Sequence, residues 1–129
     1  MARIISVEDD ELISVPLSAA LTRAGHLVGV IPNGALALQT IAFKPPDLVI
    51  LDCALPGMPG IEILRRLRRS SATYLMPILM LTGHRRERDI DSAIEAGANA
   101  YLTKPFDTTE LVDCVERLLE EGALHRLVR

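Results

Sequence analysis

Aromatic residues are scarce in this chain: two tyrosines, two phenylalanines and no tryptophan. A surface that stacks nucleic-acid bases is therefore not expected. Cysteine occurs twice, at Cys53 and Cys114, with no CxxC pair and no Cys/His cluster. A disulfide framework and a zinc centre are thereby excluded, and both thiols are expected to be free and buried. No apolar run approaches the roughly 20 residues that a membrane-spanning helix needs. The N-terminal stretch MARIISVEDD soon turns acidic and offers no small-residue cleavage site. It does not read as a secretory leader, so a cytoplasmic location without a membrane partner is expected. No single sign of charge dominates either. Fourteen Lys and Arg face seventeen Asp and Glu, a net charge of −3 that argues against direct binding to nucleic acid.

What is present is an ordinary globular composition, 49% hydrophobic and 24% charged over 129 residues, enough for one domain with a real core. Short apolar runs alternate with helical patterns. RIISV at 3–7 reads as a strand, and a helix over 11–25 follows with Leu12, Ile13, Leu17, Ala20, Leu21 and Ala24 on one face. Pro16 interrupts that helix, so either it starts late with Ser14 as its cap or it kinks. Leu27–Ile31 is a second strand, and Asn33 caps a helix that runs to about Phe43 and is broken by KPPD. Leu48–Asp52 is a third strand. A helix over 61–69 puts Ile61, Leu64 and Leu67 on one side, and its arginines between 65 and 69 read as a solvated face. ILMLT at 78–82 is a fourth strand, and a helix over 87–96 ends at Gly97. A short strand at 100–103 leads to a last helix capped by Asp107 or Thr108, with Leu111, Val112, Val115, Leu118 and Leu119 along one side. Five β–α units with such uniformly apolar strands imply a parallel sheet covered on both faces. Residues 1–121 form the expected domain, and 122–129 a tail or the start of a linker.

The polar interruptions carry the chemistry. The first strand ends in Glu8, Asp9 and Asp10, the third in Asp52, the fourth in Thr82 and the fifth in Lys104. All fall at carboxyl ends of strands, where open α/β sheets bind ligands. Acids packed together there would repel one another or hold a cation. Carboxylates with a backbone carbonyl suit a hard ion, Mg²⁺ (or Mn²⁺) above all if waters and phosphate complete its shell. Lys104 offers a point charge for a phosphoryl oxygen and Thr82 a hydroxyl donor. Such a set surrounds a phosphoryl group in transfer, and Asp52 is left as the nucleophile that accepts it.

In the segments VEDD at 7–10, LVILDCALPGMPG at 48–60, LTG at 81–83 and AYLTKPF at 100–106, the chain resembles a response-regulator receiver domain of bacterial two-component signalling. The four segments are in register from about residue 3 to 120. The resemblance implies a flavodoxin-like (βα)5 doubly wound sheet with strand order 2-1-3-4-5. It implies Asp52 as phosphoacceptor, Glu8 and Asp9 as metal-binding acids, and the backbone carbonyl of Ala54 as a third protein ligand. Thr82 and Lys104 would contact the phosphoryl group, Thr82 and Tyr101 would form the switch, the ring turning inward when Thr82 moves toward the phosphate, and the Lys104–Pro105 peptide would be cis. The implied partners are a sensor histidine kinase or phosphotransfer protein, a downstream output domain or protein, and a second copy on phosphorylation.

Some positions depart from the common pattern. Pro59 stands where an aspartate is frequent. Ala54 and His84 sit where side chains overlook the attacking water, and GANAY at 97–101 lacks an acid often found in regulators that dimerise through their last helices. The expected role is a signalling switch that assists its own phosphorylation and dephosphorylation, not a metabolic enzyme. Two alternatives stand beside it. One is a phosphorylation-independent interaction module. The other is an aspartyl-phosphate hydrolase, which would want a second acid where Ala54 stands.

Overall fold

Five parallel strands form one sheet in the order β2-β1-β3-β4-β5, in a computed structural model that describes residues 1–83 and 87–128. The strands are β1 (Arg3–Val7), β2 (Leu27–Ile31), β3 (Leu48–Asp52), β4 (Ile78–Thr82) and β5 (Ala100–Thr103). The helices between and after them are α1 (Glu11–Arg23), α2 (Gly34–Phe43), α3 (Gly60–Arg69), α4 (Glu87–Glu95) and α5 (Thr108–Val128). The expected fold class and strand order are those observed.

Alternation along the strands divides the core into two layers. Ile5, Val7, Val49, Leu51, Ile78 and Met80 face the layer that contains Ile41, Ile63, Leu64 and Ala93 of α2, α3 and α4. Ile4, Leu48, Ile50, Leu79 and Leu81 face Leu17, Leu21, Leu111 and Val115 of α1 and α5. β3 and β4 are buried along their whole length, as their apolar runs require. β2 is not. It lies at the rim of the sheet and is half to fully exposed, so cover on both faces holds for the centre of the sheet only.

The helices correct several expectations. α1 starts at Glu11, with Asp10 as its cap: the Asp10 side chain accepts from the Leu12 N–H at 2.9 Å. Ser14 is buried inside the helix and is no cap, and Pro16 lies within it. The ring removes one bond to the Leu12 carbonyl, and Pro16 and Leu12 are both exposed, so water can serve that carbonyl. Leu12 is 85% exposed and Ala24 is exposed too; the buried face is Ser14, Leu17, Ala20 and Leu21. In α3 Ile63, which the pattern left out, joins Leu64 and Leu67 in the core, and Ile61 is half-buried against them. Asn33 caps α2 as expected, accepting from the Leu36 N–H at 3.0 Å. Gly97 ends α4 with φ +112, the left-handed conformation that closes a helix C-terminus, and the Ala98 N–H returns to the Ala93 carbonyl at 3.0 Å. α5 runs on to Val128, so no break in secondary structure marks residue 122. His84, Arg85 and Arg86 lie outside the described residues.

Arg68 is a second correction to α3. It is not part of a solvated face. Its guanidinium donates to the carbonyls of Gly97 (2.9 Å), Thr73 (3.1 Å) and Tyr74 (3.2 Å) and to Asn99 Oδ1 (2.7 Å). It thereby ties the end of α3 to the loops that lead into β4 and β5. Cys53 and Cys114 are both free, as expected, and half-buried rather than fully buried.

Candidate functional site

Strand register assembles the polar residues. Val7 pairs with Leu51, so the next residue, Glu8, lies level with Asp52. Asp52 pairs with Leu81 and brings Thr82 one step above it; Thr82 pairs with Thr103 and brings Lys104 one step above that. Four strands thus end as a staircase around one point. Glu8 is 2% exposed, Asp52 5% and Thr82 1%, while Asp9 opens to solvent. Carboxylate oxygens of Glu8, Asp9 and Asp52 all lie within 4.8 Å of one another. Lys104 reaches in from β5: its Nζ is 2.9 Å from Glu8 Oε1 and 3.1 Å from Asp52 Oδ1. The Lys104–Pro105 peptide is cis, as the resemblance implied.

The electrostatics follow from burial. Desolvation, the largest influence, pushes the Glu8 carboxyl above its ordinary value; the ammonium of Lys104 and the Asp10 N–H on Oε2 (3.2 Å) pull the other way, and the charge on Asp52 adds to the rise. Burial works against the Lys104 ammonium as well, but the two carboxylates outweigh it and its pKa ends up raised. The site therefore holds its lysine charged.

The acids fit a divalent cation. The donors are all oxygen, which suits a hard ion. Glu8 Oε1 is buried with the Lys104 ammonium at 2.9 Å, and a carboxylate oxygen that meets one ammonium keeps a lone pair for a further ligand. Ala54 lies in the exposed loop after Asp52, two residues along from it.

Tyr101 is half-buried against the α2–α4 side of the core. Burial raises its pKa foremost, and hydrogen bonding with the Thr82 side chain lowers it. The Cys53 thiol is likewise raised by burial and lowered by Thr82. Thr82 is thus flanked by Tyr101, with which the resemblance pairs it, and by Cys53, which the sequence reading did not include. Pro59 precedes α3 in extended backbone and makes no side-chain cap bond.

Gly60 is the functional residue that sequence reasoning missed. Its N–H donates to the Cys53 carbonyl at 3.0 Å, and a Cβ built on it would lie 2.2 Å from the Asp52 carbonyl oxygen and 2.9 Å from Cys53 Cα. Its φ is not positive, so close approach and not torsion demands glycine. The signal was a glycine at the first position of a helix, directly after a proline.

Residues 4–116 match the family model of the response regulator receiver domain. Among curated relatives, the transcriptional regulatory protein AfsQ1 of Streptomyces coelicolor is 35% identical over 122 residues, covering 95% of this chain and 53% of the relative. The phosphate regulon transcriptional regulatory protein PhoB of Rhizobium meliloti is 40% identical over 122 residues, with 95% and 54% covered. The chain spans about half the length of these relatives. Of solved structures, a CheY-like response regulator receiver domain protein from Methanospirillum hungatei is similar with a TM-score of 0.89 at 26% identity, covering 97% of this chain and 98% of that one. NtrX from Brucella abortus gives a TM-score of 0.90 at 31% identity, covering 98% of this chain and 28% of that one. By sequence, fold and the clustered acids at the strand ends, this chain belongs to the receiver domain family of two-component response regulators.

Proposed function

We propose that the chain is a phosphorylation switch in which Asp52 accepts a phosphoryl group from the phosphohistidine of a sensor kinase or phosphotransfer protein. The observation that carries this reading is the double contact of Lys104 Nζ, at 2.9 Å to Glu8 and 3.1 Å to Asp52. A charged donor beside a buried nucleophile is placed to stabilise the charge that spreads over phosphoryl oxygens in transfer.

A carboxylate oxygen of Asp52 attacks phosphorus, the P–N bond to the donor imidazole breaks as the P–O bond forms, and the imidazole takes up a proton. Lys104 turns from Asp52 to a phosphoryl oxygen, and the Thr82 hydroxyl donates to another. Glu8, Asp9, Asp52 and the Ala54 carbonyl are the groups that would hold Mg²⁺, which supplies charge neutralisation between the acids and the incoming phosphoryl group. Hydrolysis of the acyl phosphate by water returns the Asp52 carboxylate and inorganic phosphate, so the domain assists its own phosphorylation and dephosphorylation without being a metabolic enzyme. As Thr82 turns toward the phosphoryl group its present partnership with Tyr101 breaks, and the ring is released to move inward. That change alters a surface read by an output domain or partner in the cytoplasm. Lack of an acid at Ala54 to protonate a leaving group supports this reading over that of a hydrolase.

Intact-mass spectrometry after incubation with acetyl phosphate and Mg²⁺ tests the assignment. One phosphoryl group is expected on the wild type and none on Asp52→Asn. Normal labelling of that variant, or no labelling of the wild type, would overturn it.

A further inference from the structure

β2 is an unusual edge for a sheet. Its five residues, LVGVI, carry no charge and no proline, the usual guards against further strand pairing. Leu27 is 57% exposed and Val30 38%. The Leu27 N–H donates to the Ala2 carbonyl at 2.9 Å, and the Ile31 carbonyl accepts from the Glu8 N–H at 3.1 Å. Alternation then turns the N–H and C=O groups of Val28 and Val30 outward, away from β1.

The strand is also self-complementary. Leu27 and Ile31, then Val28 and Val30, are matched pairs of aliphatic residues about Gly29. We propose that β2 is an interaction surface for a second copy of this chain, pairing antiparallel about a two-fold axis at Gly29 to make one ten-stranded sheet. In this register Val28 faces the partner's Val30, and each such pair exchanges two N–H···O=C bonds. Gly29 faces the partner's Gly29 in the closely spaced, non-bonded position. A register shifted by one residue would set outward groups against inward ones, so the axis must pass through a residue and not between two, and only at Gly29 does it pair all five residues.

Two further observations support a second copy over an unrelated strand. A groove of about 590 Å³ beside this edge runs from Glu8, Asp9 and Glu11 to Val15, Ala19 and Val30; at its apolar end Val15 of α1 is 63% exposed, and Leu12 of the same helix is 85% exposed. Val28 packs on the α1 side of the sheet, so the two-fold axis would bring the partner's α1 toward this apolar face. α1 begins with Glu11 and ends with Arg23, and an antiparallel apposition sets each acid toward the partner's arginine.

Gly29 also provides the test, because a Cβ there meets nothing within 4 Å in the single chain. Gly29→Lys and Gly29→Glu should therefore fold like the wild type, with unchanged urea midpoints. Each sets two like charges against one another at the axis, whereas a mixture sets opposite charges there. Sedimentation velocity of the 129-residue chain up to about 1 mM should show a concentration-dependent dimer. Either variant alone should weaken it at least about tenfold, and an equimolar mixture of the two should restore it. Exchange of the Val28 and Val30 amide protons should slow with concentration, while that of Leu27, already bonded to β1, stays constant. A chain that remains monomeric throughout would overturn the proposal. So would a dimer insensitive to Gly29→Lys, or a mixture that fails to associate. Slowed Val28 and Val30 exchange only in the presence of another protein would assign the edge to a foreign strand instead.

Discussion

Replacing Gly60 by alanine adds one methyl group where a Cβ has the least room of any glycine among the described residues. The added Cβ would lie 2.2 Å from the Asp52 carbonyl oxygen and within 3.0 Å of the Asp52 carbonyl carbon. Neither is the end of a flexible side chain, so backbone has to move. Relief to ordinary contact at 3.4 Å requires the start of α3 and the Asp52–Cys53 backbone to part by about 1 Å. The Gly60 N–H bond to the Cys53 carbonyl, now 3.0 Å, does not survive that separation. Overpacking of this kind costs about 1–3 kcal/mol, and the lost bond about 1 kcal/mol. Restriction of the unfolded chain by alanine returns about 0.4–1 kcal/mol. A net destabilisation of about 2–3 kcal/mol is expected from urea unfolding. The same displacement moves the nucleophile, and an error of about 1 Å in a reacting group lowers rates by about 10²-fold. Labelling by acetyl phosphate should slow accordingly. Gly29→Ala is the control: its Cβ meets nothing, and its stability should stay within about 0.5 kcal/mol of the wild type. A Gly60→Ala protein that matches the wild type in both urea midpoint and labelling rate would refute the reasoning.

Two more predictions concern charge. Burial holds the Glu8 pKa above 4.5, so without a divalent cation the folded state binds this proton more readily than the unfolded chain does. The contribution of Glu8 to stability is then full below pH 4.5 and is lost as pH rises through its raised pKa. Cation binding demands the ionised form, so Mg²⁺ affinity measured by calorimetry should fall as pH drops through the raised Glu8 pKa, with proton release on binding; a flat profile would count against Glu8 as a ligand. Arg68→Met removes a guanidinium that serves three carbonyls and Asn99, and a loss of about 2–3 kcal/mol in urea unfolding is expected. Arg68→Lys should recover little of it, since one ammonium cannot span four acceptors. Phosphorylation of the folded fraction of either variant should remain, because the acceptors lie before β4 and β5, away from the strand ends that carry Asp52 and Thr82.

The apolar runs of β3 and β4, the stop at Gly97 and the polar residues placed at strand ends were legible along the chain, because each depends on local pattern. Glu8, Asp52, Thr82 and Lys104 could be linked before any geometry was known, since parallel strands put their carboxyl ends on one side. What periodicity could not tell was which neighbour a face meets. The pattern set Leu12 and Ala24 with Leu17, yet both lie exposed: Leu12 is about 140° around the helix from Leu17, and Ala24 is the C-cap beyond the last turn of α1. Arg68 sits in a run of arginines, and only the convergence of the loops that carry Thr73, Tyr74, Gly97 and Asn99 gives its guanidinium four acceptors. Gly60 and β2 make the same point. The approach of α3 to the Asp52 backbone and the rim position of LVGVI are products of strand order and helix packing, which bring together residues that the sequence holds apart.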